Sequence, residues 1–164
     1  MIPLECHPGS PSGALHRIGV EAKRDGNMLR FRYVIEGELE ALRLPPPGLR
    51  PLWRHTCCEA FVGRPGKPAY HEFNFSPSGD WAAYAFTDYR QGGPIEAADP
   101  GIAIRSSPRM LELKASAEAG PGPLRIALSV VVEARDGALS YWALRHAPGE
   151  PDFHHRDGFA LELA

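Results

Sequence analysis

Apolar and polar residues alternate along much of this chain with a period of two. Leu29, Phe31, Tyr33 and Ile35 share one parity, with Arg30 and Arg32 on the other. Cys58, Ala60 and Val62 oppose Cys57, Glu59 and Phe61. Leu111, Leu113, Ala115 and Ala117 oppose Glu112, Lys114, Ser116 and Glu118. Ile126, Leu128, Val130 and Val132 oppose Arg125, Ser129 and Glu133. Successive side chains of a strand point to opposite faces, so each segment reads as a strand with one face on a core. Further strands are expected over 15–22, 39–44, 80–87, 101–106, 138–145 and 158–163. Turn signals separate them: Asp25-Gly26-Asn27, Pro45-Pro46-Pro47-Gly48, Pro65-Gly66, Ser78-Gly79, Gly92-Gly93-Pro94, Gly120-Pro121-Gly122 and Asp136-Gly137. Every candidate helical stripe is broken by Pro or Gly. Roughly ten short strands with turns every 8–12 residues or so predict an all-β fold, an antiparallel β-sandwich of the jelly-roll kind.

The most informative strand runs from Tyr70 to Ser76. His71, Phe73 and Phe75 point one way, and Tyr70, Glu72, Asn74 and Ser76 the other. A phenol, a carboxylate, an amide and a hydroxyl stand in one row, about 7 Å apart. Such a row can orient a polyhydroxylated ligand, or it can be an ordinary polar sheet face.

Composition narrows the classes. With 164 residues the chain forms one domain over 1–164, large enough to bury a core. A net charge of −2 gives no electrostatic case for nucleic acid or an anionic membrane. The 17 Pro and 17 Gly lie between apolar runs, as turns do. No apolar run approaches the ~20 residues of a membrane span. Met1 to Ser10 contains Glu5 and His7 and no apolar core of a signal peptide, so a cytoplasmic protein is expected. Three cysteines, two of them adjacent, argue against a disulfide framework. Cys58 reads as a buried filler, and Cys57, on the parity of Glu59, as the thiol able to line a site.

Three more segments carry chemistry. Trp53 and Glu59 share parity around Arg54 and the start of a strand, which would bring Glu59 onto the face of Glu72 and Asn74. Trp142 and His146 share parity further on. Asp152, His154 and His155 lie in one loop. Each has a plainer alternative. Trp53 and Trp142 suit a sandwich core, and Trp81 suits core or sheet cover. Glu59 and Glu72 can form exposed pairs with Arg54, Arg90 or Arg145. Buried together, one would be held protonated, as the acid of a glycosidase is. Asp152, His154 and His155, with His146, are a weak metal set, because adjacent histidines rarely share one ion. Hydrogen bonding to the C-terminal strand is the structural alternative for the two adjacent histidines.

The segments LWRHTCCEAF, YHEFNFSPSGDWAAYAF, SYWALRH and PDFHH, in that order, resemble bacterial DOMON-like proteins. These are single-domain relatives of the family 9 carbohydrate-binding module. The likeness spans about residues 15–163. It implies a jelly-roll sandwich that binds a saccharide without catalysis, or a b-type haem. In the sugar-binding branch two tryptophans clamp the sugar, and here they look like Trp53 and Trp142. Glu59, Glu72 and Asn74 would contact the hydroxyls, with Arg54 and His146 beside them. Glu72 stands where that branch has an arginine, and the branch's calcium ligands are not evident. The haem branch needs an axial Met and His, for which Met28 or Met110 with one of seven histidines would serve. The resemblance thus implies a saccharide as the partner and no cofactor, with haem or a hydrolase using Glu59 and Glu72 as alternatives.

Overall fold

The computed structural model describes residues 1–164. Its strands are β1 (Ile2–Pro3), β2 (Glu5–Cys6), β3 (Leu15–Asp25), β4 (Met28–Gly37), β5 (Cys57–Gly63), β6 (Tyr70–Phe75) and β7 (Trp81–Asp88). These are followed by β8 (Gln91–Ile95), β9 (Ala103–Ser107), β10 (Met110–Glu118), β11 (Leu124–Glu133), β12 (Leu139–Ala143) and β13 (Leu161–Leu163). They form two antiparallel sheets. The smaller has the order β1-β3-β4-β10-β9, and the larger β2-β12-β11-β5-β6-β7-β8, with β13 also on β11. The only helical elements are three single 3₁₀ turns. The fold is the β-sandwich that the alternation predicts.

The apolar parity of each strand faces the other sheet. Ile18, Val20, Leu29, Phe31, Ile35, Leu111 and Leu113 from the smaller sheet meet Cys58, Ala60, Phe75, Ile126, Leu128 and Val130 from the larger. Tyr33 also lies in this core, fully buried, and its hydroxyl donates to the Glu59 carbonyl at 2.7 Å. That bond ties the smaller sheet to β5, the strand that carries the candidate site.

Two segments depart from the sequence reading. Residues 39–44 were expected as a strand. They form a 3₁₀ turn over Leu39–Ala41 and a single bridge from Leu42 to Ala134. Gly92-Gly93-Pro94, expected as a turn, is the middle of β8, and the turn falls at Tyr89-Arg90 instead. Pro is tolerated there because β8 is an edge strand. Gly92 is demanded by contact, since a Cβ at this position would lie 2.0 Å from the Ala85 carbonyl oxygen. The chain therefore approaches its neighbour more closely than any side chain permits.

Leu128→Ala should lower unfolding free energy by about 2–5 kcal/mol in urea denaturation, as a large-to-small change in a sealed core. Tyr33→Phe should cost about 1–3 kcal/mol by losing a buried bond. Phe73→Ala should cost less than Leu128→Ala, because Phe73 is only partly buried.

Candidate functional site

The candidate site lies on the face of the larger sheet turned away from the smaller one. Pairing registers build it. Ser129 of β11 stands opposite Glu59 of β5, and Glu59 opposite Asn74 of β6. One step along, Ala127 is opposite Phe61, Phe61 opposite Glu72, and Glu72 opposite Tyr84. Glu59 and Glu72 are therefore diagonal neighbours on one face, as their parities require.

This face is covered. Phe61, Tyr70, Ala127 and Phe159 form a second, small apolar cluster on it, with Phe86 and Phe153 packed against them. The C-terminal loop supplies Phe153 and Phe159 and so roofs that end. Beyond the cluster lie the polar groups. Glu59, Glu72, Asn74 and Ser129 are all buried, at 2%, 5%, 0% and 1% exposure. Glu59 Oε2, both side-chain polar atoms of Asn74 and the Ser129 hydroxyl have no hydrogen-bond partner in the protein. Nine-tenths or more of buried polar groups in folded proteins are paired. Four orphan atoms at one register of three adjacent strands are thus a concentrated departure.

A hydrogen-bonded chain closes the roofed end. The Arg90 backbone N–H donates to the Tyr70 hydroxyl at 3.1 Å, and that hydroxyl lies 2.8 Å from His154 Nδ1. His154 Nε2 is 3.3 Å from Glu72 Oε1. Assigning the Tyr70 proton toward Nδ1 leaves the imidazole proton on Nε2, directed at Glu72. Asp152 fixes the loop. It accepts from Arg90 Nη2 at 2.8 Å, from the His154 backbone N–H at 3.1 Å and from the Tyr89 hydroxyl.

Burial sets the charges. Desolvation pushes the Glu59 carboxyl well above the ordinary carboxylate range, and the Glu72 charge pushes in the same direction. Burial raises Glu72 to about 7, against opposing pulls from the neighbouring Asn74 amide and then from the Arg90 charge. Desolvation, with the Arg90 charge adding to it, lowers His154 to about 4. His154 is therefore neutral near pH 7, and its 3.3 Å approach to Glu72 is a contact of neutral imidazole and not an ion pair.

The structure corrects several expectations. Trp142 does not face Glu59. It pairs with Val130, lies on the inter-sheet parity at 5% exposure, and donates from Nε1 to Ser140 at 3.0 Å. Trp53 sits on the 3₁₀ turn Leu52–Arg54 that packs against β5 and β6, and the residue is 44% exposed. A clamp between Trp53 and Trp142 is thereby excluded, because one ring is core and the other is surface. Arg54 lies over the Trp53 ring at 5.1 Å and pairs with neither glutamate. His146 falls beyond the end of β12, so parity does not govern it; its Nε2 is 2.8 Å from the Glu5 carbonyl oxygen. Asp152, His154 and His155 do not converge on a common point. Asp152 and His154 are engaged as above, and His155 accepts from the Asp157 backbone N–H. Neither histidine bonds to the C-terminal strand. Cys57 and Cys58 are fully buried free thiols on opposite faces.

Ser129, Tyr84 and Tyr70 join the site without having been singled out for it, although Tyr70 stood in the polar row. Ser129 carried a readable signal, a lone hydroxyl within the Val/Leu run of a central strand. Met28 and His71 do line one cavity of about 380 Å³, reached by both sheets. Its wall also carries Glu96, Asp99 and Glu118 against the single guanidinium of Arg64.

Two stability measurements test this electrostatic picture. Ser129→Ala removes an unpaired buried hydroxyl with little change of shape. It should raise unfolding free energy by roughly 1 kcal/mol; a loss of that size would mean the hydroxyl is already bonded. Between pH 4.5 and 6.5 the folded state retains protons on Glu59 and Glu72 that the unfolded chain releases. It also refuses a proton on His154 that the unfolded chain binds. The raised carboxyls contribute stability that is lost as pH rises through this window, and the lowered imidazole contributes stability that is lost as pH falls. The two carboxyls outweigh the one imidazole, so stability should fall as pH rises through this window. Glu72→Gln should flatten this slope and His154→Gln should steepen it, read from urea midpoints at each pH.

The chain is similar in structure to one from Bacteroides uniformis described as a "putative carbohydrate-binding protein", with a TM-score of 0.62 and 14% identity, over 87% of this chain and 75% of that one. At such identity the likeness is one of fold. No protein-family model and no curated protein matches the chain.

Proposed function

We propose that this protein is a non-enzymatic, DOMON-like module that binds a saccharide on the outer face of its larger sheet. The observation that carries the reading is the set of orphan atoms on Glu59, Asn74 and Ser129. Leaving each unpaired costs about 1–3 kcal/mol. A sugar hydroxyl both donates and accepts, and so can complete a carboxyl held protonated, an amide and a hydroxyl together. Glu72 adds an acceptor that ionises near neutrality. The fold likeness to a protein described as carbohydrate-binding supports the same class of ligand.

The stacking surface differs from the one the sequence resemblance implies. Trp142 is unavailable. Tyr84, opposite Glu72 and half-buried, and the exposed Trp53 are the aromatic groups beside the row. The polar row is sealed in the free protein, so the ligand reaches it only when part of its cover moves aside. Association is then slower than for an open groove.

Thermal unfolding with a panel of mono- and disaccharides, amino sugars included, tests this. A ligand at 100 times its dissociation constant stabilises by about 2.7 kcal/mol, a shift of several degrees. Asn74→Ala and Trp53→Ala should remove the shift while leaving the unliganded midpoint near that of the parent. Glu72→Gln should change which sugar is preferred. A panel without any shift, or an Asn74→Ala variant that binds as the parent does, overturns the reading. Release of reducing sugar by the parent, lost in Glu59→Gln, would replace it with hydrolysis.

A further inference from the structure

A second site stands apart from the polar row, behind the Tyr70–His154 contact. The β5–β6 turn, the end of β7 and the segment 154–159 border an open, solvent-facing cavity of about 700 Å³. Its wall carries Arg64, Lys67, Arg125 and Arg156, against a single carboxylate, Asp88. Two of the cations serve the fold. Arg64 donates to the Ala119 and Pro121 carbonyls at 2.6 Å each, which do not line this cavity, so its guanidinium is shared with the neighbouring cavity of about 380 Å³. Arg125 donates from Nη2 to the Phe159 carbonyl and lies 3.8 Å from Glu162, while its Nε is buried without an acceptor. Lys67 and Arg156 are exposed and make no ion pair.

Such a wall is unusual on a chain whose net charge is −2. Four cations line it from three separate segments, Glu162 offsets Arg125 in part, and a bound anion would relieve the repulsion that remains. Guanidinium and ammonium groups match carboxylate and phosphate oxygens, which take charge-assisted hydrogen bonds. The volume lies in the range of small-molecule sites and far exceeds a bare ion. Tyr70 and Phe159, both buried, add apolar wall. The geometry points to a binding site for a small molecule that carries an oxyanion, phosphate or carboxylate, on a body about the size of a sugar. This site does not depend on the saccharide reading of the outer face, because none of Glu59, Glu72, Asn74 or Ser129 lines it.

The test is titration calorimetry of the whole protein at fixed ionic strength with four probes: inorganic phosphate, glucose 6-phosphate, glucuronate and glucose. The comparison is with the double variant Lys67→Gln/Arg156→Gln, whose side chains are exposed and unpaired. Glucose 6-phosphate or glucuronate should bind the parent more tightly than inorganic phosphate or glucose does. Whichever of the two binds assigns phosphate or carboxylate as the group recognised. Its dissociation constant should rise roughly tenfold or more in the double variant, the size of a lost charge-assisted contact. Asn74→Ala should leave this binding unchanged, which separates it from the outer-face site. No binding by either charged sugar, equal binding by glucose, or an unchanged constant in the double variant overturns the assignment.

Discussion

The candidate site depends on one constraint: β5 is buried on both of its faces along its whole length. It lies between β11 and β6 in the middle of the larger sheet. Inward parity meets the core, where Cys58, Ala60 and Val62 are ordinary occupants. Outward parity places Cys57, Glu59 and Phe61 under a second layer of chain. A carboxyl in that position loses its water and cannot keep its charge cheaply. The protonated state of Glu59, the raised Glu72 and the neutral His154 all follow from that burial. The Tyr33 hydroxyl, reaching across from the smaller sheet, then fixes the height of Glu59 above the core.

The outer face divides by chemistry along the strands. Toward Tyr70 it is aromatic, and the rings of Phe61, Tyr70, Phe86 and Phe159 lie against one another and against His154. Toward Asn74 it is polar and unsatisfied. The first half resembles a folded core and stabilises the C-terminal loop. The second half destabilises the free protein, so it persists only if it serves something other than folding. Glu72 and His154 sit on the boundary, and their 3.3 Å contact joins the two halves.

The fold was legible because a period of two admits no compromise: a slip of one residue would send Phe31, Leu113 and Leu128 to the wrong face. The same logic put Glu59 and Asn74 together before any contact was known. It failed for Trp142 because parity was compared only within its own segment. Which face is shared across strands is decided by the pairing of Val130 with both Cys58 and Trp142. Loop partners were beyond reach. Tyr70 and His154 are 84 positions apart, and nothing in either segment names the other. Gly92-Gly93-Pro94 misled for a local reason, since the composition of a tight edge strand is also that of a turn.

That edge has a consequence for how the molecule meets its own copies. A sheet edge offers unpaired backbone groups to any passing strand, and growth along it leads to aggregates. On the larger sheet, one margin is β8, where Pro94 has no N–H to give, and the other is β2, two residues long. On the smaller sheet, β1 covers only Gly19 and Val20 of β3, whose uncovered end carries Glu21, Lys23, Arg24 and Asp25, and β9 presents Arg105 at its centre, a charge that an added identical strand would have to bring close to its own. All four margins are thus poor templates, so both sheets end where the chain ends them.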